Sequence, residues 1–114
     1  MSRQLRSTNA QLRGTVYVAA SPIHGTGVFA ARKLVKGEYI GTFHGPAVRR
    51  DGMYVLWVYE QGGDADPVGR RGRNMLRHLD HASPANAAFE GVDLGALRAR
   101  APGAEVTSGV GGGA

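Results

Sequence analysis

The chain has 114 residues, a length typical of a single domain, and its 18 glycines favour turns and close backbone contacts over long helices. It contains no cysteine, so a disulfide framework, a thiolate zinc site and a thiol nucleophile are excluded. The formal net charge of +5 favours anionic partners, although genome bias is the simpler explanation of an arginine-rich composition.

The N-terminal residues are polar and show no apolar period, so residues 1–14 are predicted to be a flexible arm. Their positive charge is not followed by an apolar run, which argues against a secretory signal. No stretch of the chain approaches the ~20 apolar residues of a membrane span. We therefore expect a cytoplasmic protein that does not associate with membranes.

Four short apolar runs in the first half of the chain are predicted to be strands. They are residues 15–19, 28–30, 39–43 and 53–59. The last run is the richest in aromatic and β-branched residues, which makes it the strongest predicted strand. Glycine-containing turns separate the runs, so the strands are expected to be short.

The second half of the chain is less regular. Residues 61–73 are predicted to be a polar loop, and residues 74–81 about two turns of helix, because their apolar side chains have helical spacing. Residues 94–99 and 105–107 are weak strand candidates on either side of a Pro-Gly turn. The whole pattern predicts a mainly β domain with little helix.

A first candidate motif spans residues 24–30, where Gly25 and Gly27 flank a single threonine. Glycines at this spacing allow backbone groups to approach a ligand without hindrance from a Cβ atom. The motif lacks the third glycine and the following helix of a dinucleotide fingerprint. Taken alone, it is best interpreted as an ordinary hairpin turn.

A second candidate motif spans residues 74–87, where Asn, Arg, Asp and His alternate with apolar residues. This pattern suits a buried polar network, which is tolerated when it is fully hydrogen-bonded. His78 and His81 lack the further ligands of a zinc site. Ser83 lies in no nucleophile elbow, so a serine hydrolase is not indicated either.

In their order and spacing, these motifs resemble the signatures of the SET domain of protein-lysine methyltransferases. Residues 21–40 are similar to the first signature, and residues 43–45 are similar to the strand end that follows it. Residues 74–87 are similar to the Asn-His segment, and residues 102–107 are similar to the closing Pro-Gly-Glu-Glu-Leu-Thr.

The resemblance covers residues 15–111 and leaves residues 112–114 as a Gly-rich tail. It implies a SET-domain (β-clip-like) fold of short strands with a knot-like threading of the C-terminal segment. That threading is expected to place Asp80 and His81 beside the C-terminal strand.

The resemblance also implies S-adenosylmethionine as the cofactor, held by the first signature and by the Asn-His segment. Asp80 stands where the family usually has Asn, and an ionised carboxylate can only accept hydrogen bonds. Asp80 would therefore need a donor such as Arg77 or the cofactor amine. The implied cofactor-binding positions are His24, Gly25, Thr26, Gly27, Arg77, Asp80 and His81.

In the family, tyrosine hydroxyls line a narrow channel and orient the lysine amine, whose free pKa is ~10.4, for attack on the sulfonium methyl. The matching channel positions are Phe43, Phe89 and Val110, and none carries a hydroxyl. Losing one preorganised polar group at a reacting centre commonly costs ~10²–10³ in rate. Tyr54 and Tyr59 are candidates to reach the channel.

Three functions follow from these observations. The first is an S-adenosylmethionine-dependent protein-lysine N-methyltransferase of reduced activity, acting on a lysine of a protein or peptide. The second is a catalytically silent SET-like module that only binds. The third is a basic β-domain for nucleic acid, suggested by the arginines between Arg70 and Arg77, but no stacking aromatics interleave with them and nucleic acid is not the favoured partner.

Two further expectations concern assembly and the tyrosines. So small a domain lacks flanking modules to complete a peptide groove, so a homodimer is expected. Tyr17 and Tyr39 are expected to be core strand residues, which leaves other tyrosines for the channel.

The missing hydroxyl at Val110 gives a direct test. If the closing strand keeps the family register, Val110→Tyr restores a hydroxyl that can hold the amine in line with the methyl group, and turnover on lysine-containing peptides should rise. The rate of methyl transfer to such peptides by the wild type and the variant measures this change in turnover. Rapid turnover by the wild-type protein would contradict the prediction and point to Tyr54 or Tyr59 instead.

Overall fold

The computed structural model describes residues 5–58 and 66–109. Within them the chain forms ten short strands, one turn of α-helix (α1, Asn9–Leu12) and one 3₁₀ helix (Met75–His78). No helix among these residues is long and apolar enough to cross a membrane. The strands are β1 (Val16–Ala20), β2 (Thr26–Ala30), β3 (Tyr39–Thr42), β4 (Ala47–Val48), β5 (Val55–Val58), β6 (Val68–Arg71), β7 (Asp80–His81), β8 (Ala87–Glu90), β9 (Asp93–Ala96) and β10 (Glu105–Ser108).

The strands form two sheets. The larger runs in the order β1-β2-β10-β8-β9-β3, with β7 also paired to β10, and the smaller is β4-β6-β5. This arrangement confirms the predicted mainly β fold with little helix. The larger sheet, α1 and the 3₁₀ helix contribute to one apolar core, whose fully buried side chains include Leu12, Val16, Val28, Ile40, Leu94 and Val106.

The first two predicted strands are confirmed as an antiparallel hairpin, β1–β2. Its turn closes through a hydrogen bond of 2.8 Å from the Ser21 amide to the Gly25 carbonyl. Gly25 has a φ of +48°, a conformation that favours glycine. Along β1, Val16 is buried, whereas Tyr17 is 40% exposed and stacks on Phe29 with ring centroids 5.7 Å apart. The expectation that Tyr17 is a core residue is therefore wrong.

Strand β10 occupies the centre of the larger sheet. Its first half pairs with β2 in the antiparallel direction, and its second half pairs in parallel with β7 and β8. Thr107 lies opposite Asp80 and Ser108 opposite His81, so the expected position of these two residues beside the C-terminal strand is confirmed. The Asn86 side chain adds a clamp, because it accepts from the Thr107 amide at 2.8 Å and donates to a β10 carbonyl at 3.0 Å.

The predicted flexible arm is wrong for its described part, residues 5–14. Thr8 and Gln11 form a reciprocal capping box around α1, which supplies partners for the free amides of this short helix. The helix buries Leu12 completely in the core. Gly41 faces this side chain, and a Cβ atom there would overlap Leu12 Cδ2.

Polar contacts also hold the segment before α1 against β3. The Arg6 side chain donates to the carbonyls of Tyr39 and Ile40, at 2.6 and 3.0 Å. The Asn74 side chain is buried and donates to the Ser7 carbonyl at 2.8 Å and to the Thr42 carbonyl at 2.7 Å. One asparagine of the second motif thus joins the N-terminal segment to the sheet.

Other local predictions need smaller corrections. Residues 61–73 were expected to be a loop, but β6 forms there because it pairs with both β4 and β5. Residues 74–81 contain one 3₁₀ helix rather than two helical turns, because Leu79 has an extended backbone and the chain then enters β7. The predicted strands at β3, β9 and β10 are confirmed, whereas β4, β7 and β8 were not predicted.

The burial of Leu12 predicts how much the N-terminal segment contributes to stability. Leu12→Ala should lower the free energy of unfolding by about 2–5 kcal/mol, because it leaves a cavity in the core. Leu5→Ala is the matched control, since Leu5 is 54% exposed and its loss should change stability by about 0.5 kcal/mol or less. Urea denaturation measures both. If both variants lower the free energy of unfolding by the same small amount, the N-terminal segment is only loosely attached to the core.

Candidate functional site

A cavity of about 630 Å³ lies beside the ends of β7 and β10. Phe43 and Phe89 form part of its wall, with their rings packed edge to face and 5.9 Å between centroids. Both predicted channel positions that the structure describes therefore meet in one cavity. Its other lining residues include Tyr54, Arg77, His81 and Ser108.

Phe43 follows β3 and is buried. Gly72 has no side chain, so its segment can approach the Phe43 ring closely. A Cβ atom on Gly72 would lie 2.8 Å from Phe43 Cζ and 2.7 Å from Arg77 Cβ. Real Cβ atoms do not approach other atoms so closely. Gly72 is therefore needed for the packing of this wall.

His81 and Ser108 lie side by side at the ends of the parallel pair β7–β10. The Ser108 hydroxyl is 3.3 Å from His81 Nδ1, and the Gly109 carbonyl is 3.2 Å from the same atom. These contacts orient an imidazole that is otherwise exposed and lines the cavity. The ring therefore presents both a flat surface and a second nitrogen to a ligand.

Arg77 belongs to the 3₁₀ helix and lines the cavity. One of its terminal nitrogens donates to the Arg73 carbonyl at 3.1 Å, and its guanidinium carbon is 5.6 Å from the centre of the Tyr54 ring. Its Nε is buried and has no hydrogen-bond partner. Arg77 thus carries an unused donor, but it does not pair with Asp80 as the sequence suggested.

The first signature forms the turn between β1 and β2, and Ser21 organises it. The Ser21 hydroxyl accepts from the Ile23 amide at 3.0 Å and lies 2.8 and 2.9 Å from the two carboxyl oxygens of Glu105. His24 and Thr26 are exposed on this turn. Neither of them lines the 630 Å³ cavity.

Gly27 is buried, and the atoms packed around it leave no room for a side chain. A Cβ atom there would overlap Glu105 Oε2 and would lie 3.1 Å from Asp80 Oδ2. The two carboxyl groups therefore meet directly behind the signature glycine. This contact brings together Gly27 and Asp80, two of the residues predicted to bind the cofactor.

The carboxyl pair is electrostatically unusual. Burial raises the pKa of Glu105, hydrogen bonding from Ser21 opposes that shift, and the neighbouring Asp80 raises the pKa further. Asp80 Oδ2 is buried and accepts no hydrogen bond. Among the described residues, the ion pair that forms is Arg32–Glu38, and neither member of the carboxyl pair takes part in it.

Glu105 is a site residue that the sequence reasoning missed. Its partners Ser21 and Asp80 are far from it in the chain, so no local pattern reveals the contact. Its place in the closing motif was the available signal. Two other candidates, Val110 and Tyr59, lie outside the described residues, whereas Tyr54 reaches the cavity.

Comparisons with known proteins add one decisive observation. No family model and no curated protein sequence matches the chain. Among solved structures, the chain is similar to the methyltransferase domain of human PR domain-containing protein 2, with a TM-score of 0.68, 22% identity and coverage of 95% of this chain and 90% of that one. This chain has the SET-domain fold.

A second solved structure with the SET-domain fold is similar to the same extent. It is the methyltransferase domain of the human histone-lysine N-methyltransferase SETMAR, with a TM-score of 0.68 and 16% identity. The match covers 82% of this chain and 43% of that one. The fold that the order of the motifs implied is thereby confirmed.

The carboxyl pair predicts a pH-dependent difference in stability. The folded state raises the pKa of Glu105 above its ordinary value of 4.5. The contribution of Glu105 to the free energy of unfolding is therefore fully present below pH 4.5 and is lost as the pH rises through the folded-state pKa. Glu105→Gln removes the repulsion and can donate to Asp80. The variant should therefore become more stable than the wild type as the pH rises to 7.

Urea denaturation between pH 4 and pH 7 measures this difference. Glu90→Gln is the matched control, since Glu90 is exposed at the end of β8, away from the pair. A Glu105→Gln variant that is less stable than the wild type at pH 7 would show that the charged carboxylate is favourable in its bond with Ser21.

Proposed function

We propose that this chain binds S-adenosylmethionine and transfers its methyl group slowly to a lysine of a protein or peptide. One observation carries the proposal: β10 joins the two halves of a transfer site. Its first residue, Glu105, contacts Gly27 and Asp80 in the predicted cofactor region, and its last residue, Ser108, lines the cavity with Phe43 and Phe89. The methyltransferase domains with the same fold support the reaction type.

The described residues fit such a cofactor. S-adenosylmethionine supplies an activated methyl group on a positively charged sulfonium. The carboxyl pair of Asp80 and Glu105 lacks a cationic partner within the described chain, so a positive ligand nearby would be favoured. His24–Gly27 and the exposed His81 ring would contact the remaining parts of the ligand. The Arg77 side chain, which lines the cavity, would add a further contact.

The cavity has the properties needed to hold a neutral amine. Apolar walls that include Phe43 and Phe89 disfavour a charged ammonium, which lowers the pKa of a bound lysine. A lysine at this wall would therefore lose its proton more readily than in water.

Reduced activity follows from the same walls. Phe43 and Phe89 provide packing but no hydroxyl to orient the amine. Proximity and desolvation still lower the barrier when the two reactants are held in contact. The absence of a hydroxyl at both described positions is also the observation that favours the second candidate, a module that binds but does not catalyse.

Nucleic-acid binding has weaker support. Arg70 and Arg77 are half-buried, and the Arg77 guanidinium already packs on the Tyr54 ring and donates to the Arg73 carbonyl. Arg71 and Arg73 are exposed, so two of the four arginines of this segment lie at the surface. A cytoplasmic location and homodimer formation stay predictions.

Calorimetry with S-adenosylmethionine and its demethylated product tests cofactor binding. The wild type should bind both, and His81→Ala should weaken binding by about tenfold, since it removes a stacking surface and a hydrogen-bond partner. His44→Ala is the matched control, because His44 is also exposed but does not line the cavity.

Absence of heat and of a thermal shift at millimolar cofactor would refute the proposed pocket. Micromolar binding to nucleic acid with a steep dependence on salt would instead favour the basic-domain alternative. Cofactor binding without methyl transfer to any lysine peptide would support the silent module.

A further inference from the structure

Tyr54 has an unusual backbone conformation for an aromatic residue. Its φ is +67°, and it is the non-glycine residue with a positive φ among the described residues. Bulky side chains rarely adopt this region, which costs on the order of 1 kcal/mol. The surrounding structure must therefore hold Tyr54 in place.

The cavity wall provides that restraint. The Tyr54 carbonyl accepts a hydrogen bond of 2.7 Å from the Gly72 amide. The next residue, Val55, pairs with Arg71 at the start of the β5–β6 ladder. Because Gly72 also packs closely against Phe43, the backbone of Tyr54 is fixed to the same wall that carries the predicted channel position.

The Tyr54 ring is positioned as well. It packs edge to face on His78, with 5.5 Å between ring centroids, and the Arg77 guanidinium carbon lies over the ring, 5.6 Å from its centre. The residue is 42% exposed and lines the cavity together with Phe43 and Phe89. A strained, restrained and accessible side chain is expected at a functional site rather than in a plain loop.

The Tyr54 hydroxyl makes no hydrogen bond within the described residues. Two other described tyrosines have different surroundings. The Tyr39 hydroxyl accepts from the Arg6 amide at 2.9 Å and contacts the Thr42 hydroxyl at 2.6 Å, whereas Tyr17 stacks on Phe29 and does not line the cavity. Tyr54 is thus the described tyrosine that lines the cavity and whose hydroxyl has no hydrogen-bond partner among the described residues.

We propose that Tyr54 is a catalytic residue that binds the substrate lysine amine, and that it replaces the hydroxyls missing at Phe43 and Phe89. This inference rests on the proposed methyl transfer. The phenol oxygen accepts a hydrogen bond from the neutral amine and so directs the nitrogen lone pair. The new N–C bond then forms as the S–C bond breaks, the electron pair of that bond stays on sulfur, and the amine proton leaves to water.

A binding cycle isolates this contact without measuring activity. A lysine-containing histone-tail peptide is compared with the same peptide carrying norleucine, which lacks only the amine and its charge. The wild type should prefer the lysine peptide. Tyr54→Phe should reduce that preference about three- to tenfold, the value of one hydrogen bond, while binding of the norleucine peptide stays unchanged.

Tyr17→Phe is the matched control and should leave the preference unchanged. Tyr54→Phe keeps the ring contacts, so its unfolding midpoint should match that of the wild type. With S-adenosylmethionine present, the same variant should methylate histone at least tenfold more slowly at unchanged cofactor affinity.

The outcomes separate the two proposals. A wild type without preference for lysine, or a preference that survives Tyr54→Phe, overturns the role of Tyr54 while cofactor binding can still stand. Failure of the wild type to bind S-adenosylmethionine refutes the proposed function itself, whatever the peptides show.

Discussion

The pairing of β10 with three other strands is the constraint on which the rest of the structure depends. This four-residue strand bonds to β2 through its first half and to β7 and β8 through its second half. Asn86 fixes the register by bonding to the backbone on both sides of Val106, which is fully buried. Because β10 is shared, a shift of one residue would turn Glu105 and Ser108 each to the other face of the sheet. The carboxyl pair would then be separated from the turn that Ser21 organises.

Polar contacts between residues far apart in the chain also join the segments around the sheet. Ser21 and Glu105 are separated by 84 positions in the chain, and Asn74 is 67 positions from Ser7. Contacts at such separations are costly in loop entropy, so they form only after the sheet has brought their segments together. The bond of Ser21 with Glu105 and the bond of Asn74 with Ser7 therefore depend on the sheet.

Local pattern was a good guide to β1, β2, β3, β9 and β10 because each is a short apolar run beside a turn. The order of four weak motifs was enough to imply the fold. Leu12 was missed, since a single apolar residue in a polar segment has no period, and β6 was missed because its stability comes from two neighbours. Glu105 was missed for a similar reason, because its contacts with Gly27 and Asp80 have no local signature. Tyr54 was one of two tyrosine candidates for the channel, and its backbone angle could not be predicted from the sequence.

Several departures from ordinary packing rules lie around the proposed transfer site, whereas the buried and unpaired Arg100 Nε lies outside it. Asp80 Oδ2 is buried without a donor beside a second carboxyl, Arg77 Nε is buried without an acceptor, and Tyr54 adopts a left-handed conformation. Each feature lowers the stability of the isolated fold. Asp80 and Arg77 are joined by the 3₁₀ helix and β7, and Arg77 packs on Tyr54, so the three costs occur within one connected group. Unsatisfied polar groups and backbone strain that gather in this way are expected where a ligand, and not the protein alone, completes the interactions.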